Sequence, residues 1–209
     1  MKTPRPDTSH PAEHAGNTID SLRKAATNCR ACHLWEQATQ TVFGEGCPRA
    51  SVMLVGEQPG DREDIAGHPF VGPAGSILSH ALSAVGVSRE ELYVTNAVKH
   101  FKFELRGKRR MHKKPVDTEI VACHSWLQRE IELIAPRLII ALGATAARSL
   151  LGRATPVKAN RGKLLEYAVG ISLLITVLPS FLLRVPEENK DEEYERFVDD
   201  LKLAKPFLG

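Results

Sequence analysis

The chain has 209 residues, of which 43% are hydrophobic and 25% are charged, a composition ordinary for one globular domain that folds without disulfides. No run approaches the roughly 18 uninterrupted apolar residues of a membrane-spanning helix, which excludes a transmembrane helix. Residues 1–16 are polar and contain no apolar segment, so we expect no secretory signal and a cytoplasmic protein.

The net charge of +3 is distributed unevenly along the chain. Residues 99–114 contain eight Lys or Arg and one Glu, so this strip carries +7 while the other 193 residues carry −4. A basic strip on a mildly acidic body favours binding of a polyanion. A solvated, lysine-rich loop is the alternative that charge alone leaves open.

Residues 1–17 are rich in Pro, His and Thr and are predicted to be a disordered tail, followed by a single domain over 18–209. In that domain, apolar runs bounded by Gly and Pro indicate strands, and capped amphipathic stretches indicate helices. The predicted elements, in chain order, are a helix over 18–27, a strand over 51–55, a loop over 56–75, a helix over 74–85, a strand over 92–95, a helix over 118–134, a strand over 138–142, a helix over 143–151, strands over 162–168 and 171–177, a loop over 178–181 and a helix over 187–204.

Strands that alternate with helices predict a three-layer α/β domain with a mainly parallel sheet. In such sheets, ligands bind outside the carboxyl ends of the strands. The loops that follow Val55, Thr95 and Val177 all leave predicted carboxyl ends. We therefore expect these three loops to converge on one cleft.

Four cysteines in a chain of this kind indicate metal or redox chemistry in preference to a disulfide framework. Cys29 and Cys32 form a C-x2-C pair, Cys123 can supply a third ligand, and Cys47 or His100 a fourth. Zinc and an iron–sulfur cluster both accept such a set, so a zinc-stapled nucleic-acid module stays open. Unrelated buried thiols are the simpler alternative.

Chemistry-bearing residues stand in the loops that follow the first two strands and in the basic strip. Glu57 can orient a water or a histidine, and the amide of Gln58 can bind an incoming group. Phe70 is either a stacking platform for a base or a plug of the local core. Asn96 can pair with a base edge or cap its own turn, and His112 is a candidate nucleophile or an inert loop residue.

The segment from Leu178 to Arg184 places apolar side chains, including Phe181 and Leu182, at a predicted loop tip. Such a tip can wedge into a base stack and replace an extruded base. An ordinary hydrophobic loop packed on its own domain is the alternative.

Together these motifs resemble the iron–sulfur uracil-DNA glycosylases of the type-4 kind and, more closely, the UdgX group, which excises uracil and stays covalently attached to the DNA. The resemblance extends over about residues 20–205. It rests on the motifs CRAC, VFGEG, LVGEQPGDREDIAGHPFVGPAG, YVTNAVKHFKF, GKRRMHK and ACHSWL. The GEQPGD motif combined with an inserted KRR-x-H loop is typical of the UdgX group.

The resemblance implies a three-layer α/β/α sandwich around a central, mainly parallel four-stranded sheet, and a structural [4Fe-4S] cluster that orders the DNA-contacting loops. Type-4 relatives carry a cysteine where this chain has His100. The implied ligands are Cys29, Cys32, His100 and Cys123.

The resemblance also implies roles for residues of the pocket and its surroundings. His112 would attack C1′ of the sugar after uracil leaves, giving a single-turnover crosslink to an abasic site. The implied catalytic residues are Glu57, Gln58 and His112. The implied uracil-binding residues are Gln58, Asp61, Phe70 and Asn96. The implied DNA-binding residues are Lys99, Lys108, Arg109, Arg110, Ser180, Phe181, Leu182 and Arg184. The expected partner is uracil-containing DNA, including single-stranded DNA, bound by a monomer that serves DNA base excision repair.

One position departs from the family pattern. The family usually has His-Pro-Ser where this chain has Leu178-Pro179-Ser180, and that histidine donates to the uracil oxygen as negative charge develops. Leucine cannot donate, and losing one such donor typically costs about 10²–10³ in rate. Three outcomes are open: slowed excision, substitution by a backbone N–H or Ser180, or a protein that binds uracil or abasic DNA without excising.

Overall fold

The computed structural model describes residues 10–208, and the eight strands within that range form two sheets. The strands are β1 (Glu45–Gly46), β2 (Val52–Gly56), β3 (Tyr93–Asn96), β4 (Phe103–Arg106), β5 (Arg109–His112), β6 (Leu138–Leu142), β7 (Leu164–Ala168) and β8 (Ile171–Thr176). The main sheet has six strands in the order β1-β3-β2-β6-β8-β7, and β4 pairs with β5 in a separate hairpin.

The centre of the main sheet is parallel. Strands β3, β2, β6 and β8 run in one direction, whereas β1 and β7 pair antiparallel at the two edges. The predicted four-stranded sheet corresponds to this parallel centre. The full sheet is larger because the two-residue strand β1 is too short to show a pattern in the sequence and because β7 folds back on β8 as a hairpin.

Helices cover both faces of the sheet, as the alternating pattern predicts. They are α1 (Ile19–Ala26), α2 (Asp61–Ala66), α3 (Pro73–Ala84), α4 (Asp117–Ile134), α5 (Ala144–Leu151), α6 (Val157–Asn160), α7 (Pro179–Leu182) and α8 (Glu187–Lys202). Across residues 10–208, no helix is both long and apolar enough to cross a membrane.

Alternating side chains of the buried strands divide the core into two layers. Val52 and Leu54 of β2 pack with α3, α7 and α8, whereas Met53 and Val55 of the same strand pack with α4 and α5. This alternation is the period-two geometry of a strand that is buried on both faces. The result is the three-layer architecture expected from the sequence.

A third apolar cluster lies beside α4 and includes part of the predicted tail. Residues 11–14 form a 3₁₀ helix, Ala12 is fully buried, and His10 Nε2 lies 2.9 Å from the Ala122 carbonyl oxygen. The prediction of disorder is therefore wrong for residues 10–17, because Ala12 packs with Leu22 and Trp126. Residues 1–9 of that prediction lie outside the described residues.

Two segments predicted as loops contain short helices, and the basic strip forms a hairpin. The segment 56–75 contains α2, and the segment 178–181 largely forms α7. In the hairpin, Arg106 pairs with Arg109, so the turn consists of Gly107 and Lys108. Gly107 has φ +60°, the left-handed conformation that a two-residue hairpin turn needs at its first position.

A buried carboxylate, that of Glu130 on α4, joins this helix to the sheet. Its side chain is fully buried, and it forms an ion pair with Lys99 at 2.5 Å. Three further groups donate to it: the Gly44 N–H at 3.1 Å, the Tyr93 hydroxyl at 2.9 Å and the Thr95 hydroxyl at 3.0 Å.

The position of Lys99 corrects its predicted role as a DNA contact. Only 1% of its side chain is exposed, and its ammonium group donates to Glu130, to Thr95 Oγ1 and to the Asn96 carbonyl oxygen, the last two at 2.7 Å. The sequence placed it in a basic strip, but the chain turns inward at this position. Lys99 is therefore a structural cation that fixes the carboxyl end of β3.

Replacement of Glu130 by Gln is expected to lower the free energy of unfolding by about 3–5 kcal/mol, because it leaves the Lys99 ammonium buried without its counter-ion. Urea denaturation at neutral pH measures this change. The matched control is Asp199→Asn, whose partner Lys202 is 56% exposed, and there the loss is expected to stay below about 1 kcal/mol. Equal effects of the two substitutions would contradict the structural role of the buried pair.

Candidate active site

The loops after β2, β3 and β8 meet at the carboxyl edge of the parallel sheet, where they enclose a cavity of about 90 Å³. The open end of the β4–β5 hairpin, opposite its turn, reaches the same place through His112. The cavity is lined by Glu57, Gln58, Gly60, Glu63, Phe70, Ala74, Asn96, His112, Leu178 and Ser180. The structure thus brings five predicted pocket residues together: Glu57, Gln58, Phe70, Asn96 and His112.

Phe70 forms one wall of the cavity in a conformation rare for a non-glycine residue, with φ +55°. Arg89 holds this turn, because its Nη1 donates to the Phe70 carbonyl oxygen at 2.9 Å and its Nη2 donates to the Pro69 carbonyl oxygen. A Cβ at Gly75 would lie 1.9 Å from the Phe70 carbonyl oxygen, so the close packing of this turn on α3 requires glycine. The ring also packs against the core, as the alternative role considered for Phe70 predicts.

Asn96 and Phe70 meet over the backbone of Gly56. A Cβ at Gly56 would lie 2.3 Å from Asn96 Oδ1 and 2.6 Å from Phe70 Cζ, so only glycine lets the carboxamide and the ring approach each other here. Asn96 is 2% exposed, and its carbonyl oxygen is held by the Lys99 ammonium. The backbone of Asn96 is therefore held in place, and its buried carboxamide lies beside an aromatic ring.

Glu57 and His112 form an acid–imidazole pair at the rim of the cavity. His112 Nε2 lies 3.2 Å from Glu57 Oε1, and the Thr145 hydroxyl donates to the other carboxylate oxygen. Burial opposes ionisation of Glu57, but the hydrogen bonds from His112 and Thr145 and the positive charges of His112 and Lys114 outweigh it and lower the pKa of Glu57. The pair therefore combines an ionised carboxylate with an imidazole that is 48% exposed.

This pair can perform two kinds of chemistry. A carboxylate of this kind can orient the ring and accept a proton from Nε2, and it can stabilise a cation that develops nearby. The exposed imidazole is accessible to a ligand held in the cavity. Thr145 was missed by the sequence reasoning, although its position just after the strand β6, next to β2 in the sheet, was a usable signal.

Gln58 lines the cavity, but its carboxamide is occupied by backbone groups. Its Nε2 donates to the carbonyl oxygens of Lys102 and Lys113, and its Oε1 accepts the Lys102 N–H, all at 3.1 Å. The predicted catalytic and uracil-binding role of Gln58 is corrected accordingly: it fixes both ends of the hairpin that carries His112.

Arg110 and Asp61 form an ion pair with each other, and neither side chain lines the cavity. Arg110 Nε lies 2.6 Å from Asp61 Oδ1, and its Nη1 lies 2.6 Å from Asp64 Oδ2. Asp61 does not line the cavity. These ion pairs tie the hairpin to α2, so they replace the roles in DNA and uracil binding that the sequence indicated for the two residues.

The remaining predicted DNA contacts divide by exposure. Lys108 and Arg109 at the hairpin turn are exposed, and so is Arg184. Phe181 is 40% exposed and lines, with Ser180, a larger groove next to the cavity. Leu182 is only 2% exposed and packs in the core with α8, so its predicted role as a wedge is wrong: the short helix α7 turns this side chain inward.

Leu178 stands at the boundary between the cavity and the adjoining groove, which has a volume of about 1120 Å³. It immediately precedes α7 and packs against Gly143, where a Cβ would lie 3.1 Å from Leu178 Cβ. Its side chain supplies no hydrogen-bond donor. The wall of the cavity is therefore apolar at the position where the family pattern has histidine.

Three of the four cysteines lie in one apolar cluster beside α4, and all are free thiols. Trp126 Nε1 donates to Cys29 Sγ at 3.1 Å, and the Lys99 N–H donates to Cys123 Sγ at 3.3 Å. Burial raises the pKa of Cys123 to about 12, with further contributions from the nearby Cys29 and Cys32. Cys47 packs against a different cluster.

His100 is buried near this region, but its Nε2 lies 2.9 Å from Thr41 Oγ1. In the part of the chain that the structure describes, no three His, Cys, Asp or Glu side chains are arranged to hold a metal ion. The donor chemistry fits an iron–sulfur or zinc site, because three thiols share a pocket with N–H groups directed at two sulfurs. The predicted four-ligand geometry is not assembled.

The parallel sheet with a cavity at its carboxyl edge defines the chain as an α/β protein of the class in which ligands bind outside the ends of the strands. Comparison of the chain with known families identifies that class. Residues 43–202 match the uracil DNA glycosylase superfamily, and the chain belongs to it.

Individual relatives agree with this assignment. The chain is 36% identical over 192 residues to the type-4 uracil-DNA glycosylase of Thermotoga maritima, covering 91% of this chain and 94% of that protein. It is 35% identical to the type-4 uracil-DNA glycosylase of Saccharolobus solfataricus, covering 91% and 89%. The corresponding protein of Pyrobaculum aerophilum is 37% identical, with 80% and 86% covered.

Proposed function

We propose that this chain is a uracil-DNA glycosylase that excises uracil from DNA and then bonds covalently to the abasic sugar through His112. The observation that carries the proposal is the Glu57–His112 pair at the rim of the cavity that Phe70 and Asn96 line. Membership of the superfamily, and relatives that are type-4 uracil-DNA glycosylases, support the substrate class.

The cavity suits recognition of one extruded base. The Asn96 carboxamide offers a donor and an acceptor, which complement O4 and N3–H of uracil, and the ring of Phe70 offers a face for stacking. Because Gly56 brings these two groups together, both contacts can form with a single base. An extruded base is the form in which enzymes act on nucleobases.

Excision breaks the bond between C1′ and N1 of uracil, and the bonding electrons leave with the base as an anion. C1′ then carries positive charge shared with the ring oxygen of the sugar. The Glu57 carboxylate, kept ionised by its lowered pKa, stabilises this charge from the rim of the cavity.

Capture follows when Nε2 of His112 first passes its proton to Oε1 of Glu57, 3.2 Å away, and the lone pair that this frees then forms the bond to C1′. That proton neutralises the departing uracil anion by way of solvent, so the products are uracil and a protein–DNA adduct. Thr145 holds the second oxygen of Glu57 and keeps the first directed at the imidazole. Because His112 takes the place of an attacking water, each molecule acts once.

A second function, binding of uracil or abasic DNA without efficient excision, is favoured by the apolar wall at Leu178. The uracil oxygen that gains negative charge lacks the family's histidine donor, and the amide of Gln58 is already occupied by backbone carbonyls. Loss of one donor to a developing oxyanion costs about 10²–10³ in rate. The proposed enzyme is therefore expected to be slow.

A denaturing gel tests the covalent step. Wild-type protein incubated with a single-stranded uracil oligonucleotide is expected to give a heat-stable band of reduced mobility that a thymine oligonucleotide does not give. His112→Ala is expected to abolish this band, because no nucleophile replaces the imidazole, whereas His80→Ala on the exposed side of α3 retains it. Free abasic product from the wild type without the band would overturn the role of His112.

The substitution Leu178→His tests the missing donor. It is expected to raise the single-turnover rate of uracil release by up to about 10²–10³-fold, because a donor then faces the departing base. Leu164→His, which adds the same group at a position on β7 that is 48% exposed and lines neither the cavity nor the groove, is the control and is expected to leave the rate unchanged. No gain from Leu178→His would mean that another group already stabilises the anion.

We also propose that the thiol cluster holds a [4Fe-4S] cluster, with Cys29, Cys32 and Cys123 as three ligands and His100 as the fourth. The N–H groups directed at Cys29 and Cys123 support this, because such donors stabilise thiolate ligands. When bound, the cluster supplies a structural crosslink. It would join residues near the packed helices α1 and α4. None of the reacting groups would be joined by it.

Analysis of iron and sulfide tests this cofactor. Purified protein is expected to be brown and to contain about four iron atoms per chain, the content of such a cluster. Cys123→Ser is expected to lose iron and to unfold at lower temperature, whereas Cys47→Ser retains both iron and stability. A colourless protein that contains zinc would contradict the proposal and support a zinc-stapled module.

A further inference from the structure

The groove next to the cavity has a wall that the proposed chemistry does not use. The groove begins at Glu57 and His112, passes Leu178 and Phe181, and ends against α6 and α8. Three cationic residues line that end: Lys158 on α6, Arg161 just after α6 and Arg196 on α8. We call these three residues the cationic wall.

The groove lining carries more cations than carboxylates, although Glu193 forms ion pairs with both Arg161 and Arg196. Its lining contains five cations, Lys114, Lys158, Arg161, Arg184 and Arg196, and only two carboxylates, Glu57 and Glu193. Helix α8 contains eight Asp or Glu residues, of which Glu193 alone lines the groove. The helix therefore directs its arginine toward the groove and nearly all of its acids elsewhere.

Two members of the cationic wall have unused capacity for an anion. Among the described residues, Lys158 has no carboxylate partner within 4 Å. Arg161 is held by Asp200 and Glu193, each at 2.6 Å, but its Nη2 is buried without an acceptor. A buried donor without a partner is unfavourable, and an anionic ligand would satisfy it.

We propose that the cationic wall binds the phosphodiester backbone of the nucleotides that flank the extruded one. The inference rests on the proposed function. Four residues line both the cavity and the groove, namely Glu57, His112, Leu178 and Ser180, so a strand with its sugar at His112 continues directly into the groove. Phe181 is 40% exposed in the groove lining, and its aromatic ring suits stacking of a flanking base, as in other grooves for single strands. An acidic peptide would be attracted to the cationic wall, but it would make no use of the connection between the groove and the cavity.

Binding of labelled single-stranded oligonucleotides tests the cationic wall. The first probe carries a central 2′-fluoro-2′-deoxyuridine, which resists excision and keeps binding reversible, and the second carries thymidine instead. Lys158→Ala and Arg196→Ala are expected to weaken binding of both probes several-fold, because phosphate contacts carry no base preference. Each substitution is also expected to reduce the magnitude of the slope of the log binding constant against the log salt concentration by about 0.7. Both side chains are exposed, so the fold is expected to be unaffected.

The control is Lys24→Ala, which removes the same charge from an exposed position on α1 outside the groove. Probes shortened stepwise from the 5′ or the 3′ end are expected to lose their sensitivity to Lys158→Ala from one end only, which identifies the bound flank. The proposal would be overturned if Lys158→Ala and Arg196→Ala bind both oligonucleotides with the same affinity as Lys24→Ala. Weakened binding of a polyglutamate peptide, with binding of both oligonucleotides unchanged, would overturn it in favour of an acidic protein partner.

The two proposals fail separately. If the wild type gives neither uracil release nor an adduct, the proposed function fails, while the thymidine probe still reports on the cationic wall. If uracil is released but the variants bind DNA as the control does, only the cationic wall fails.

Discussion

The buried ion pair between Lys99 and Glu130 is the interaction on which the site depends. Burying two charges is costly unless further hydrogen bonds satisfy them, and here Gly44, Tyr93 and Thr95 complete the shell of Glu130. Lys99 then connects two regions: its ammonium fixes the Asn96 carbonyl oxygen, and its backbone N–H donates to Cys123. Lys99 thus contacts both the thiol cluster and the strand end that carries Asn96 at the cavity.

The second constraint is the close approach of side chains and backbone within residues 56–75. Gly56 and Gly75 allow side chains and backbone to come nearer than any Cβ permits, and Arg89 keeps Phe70 in its left-handed conformation. Backbone strain such as the positive φ of Phe70 persists only where several surrounding contacts hold the residue in place. On the opposite rim, Gln58 fixes the base of the hairpin that carries His112. Both halves of the site are therefore rigid before any ligand binds, as a reaction that needs aligned groups requires.

Much of this architecture follows from local patterns, and the errors have one common cause. The parallel strands are visible as apolar runs because strands buried on both faces lack polar alternation. Residue type, position along the chain and family resemblance predict ligand contacts for Lys99, Gln58 and Leu182, whereas their roles depend on tertiary burial and on backbone partners far along the chain. Thr145 was missed for the same reason, since its contact with Glu57 spans 88 positions. Residue type predicts which chemistry is possible, but burial decides which side chains are free to perform it.

Leu178 and the cationic wall bear on the same kinetic problem. In the proposed mechanism, the apolar wall slows departure of uracil, so the oligonucleotide must stay bound long enough for a slow step to occur. Phosphate contacts along the groove lengthen that residence without stabilising the transition state, and in a multiple-turnover enzyme such uniform binding would delay product release. A protein that finishes its reaction bonded to DNA through His112 releases no product, so such binding has no product release to delay. In the proposed mechanism, tight backbone binding and a weakened leaving-group site are therefore compatible, because covalent capture, and not turnover, would complete the reaction.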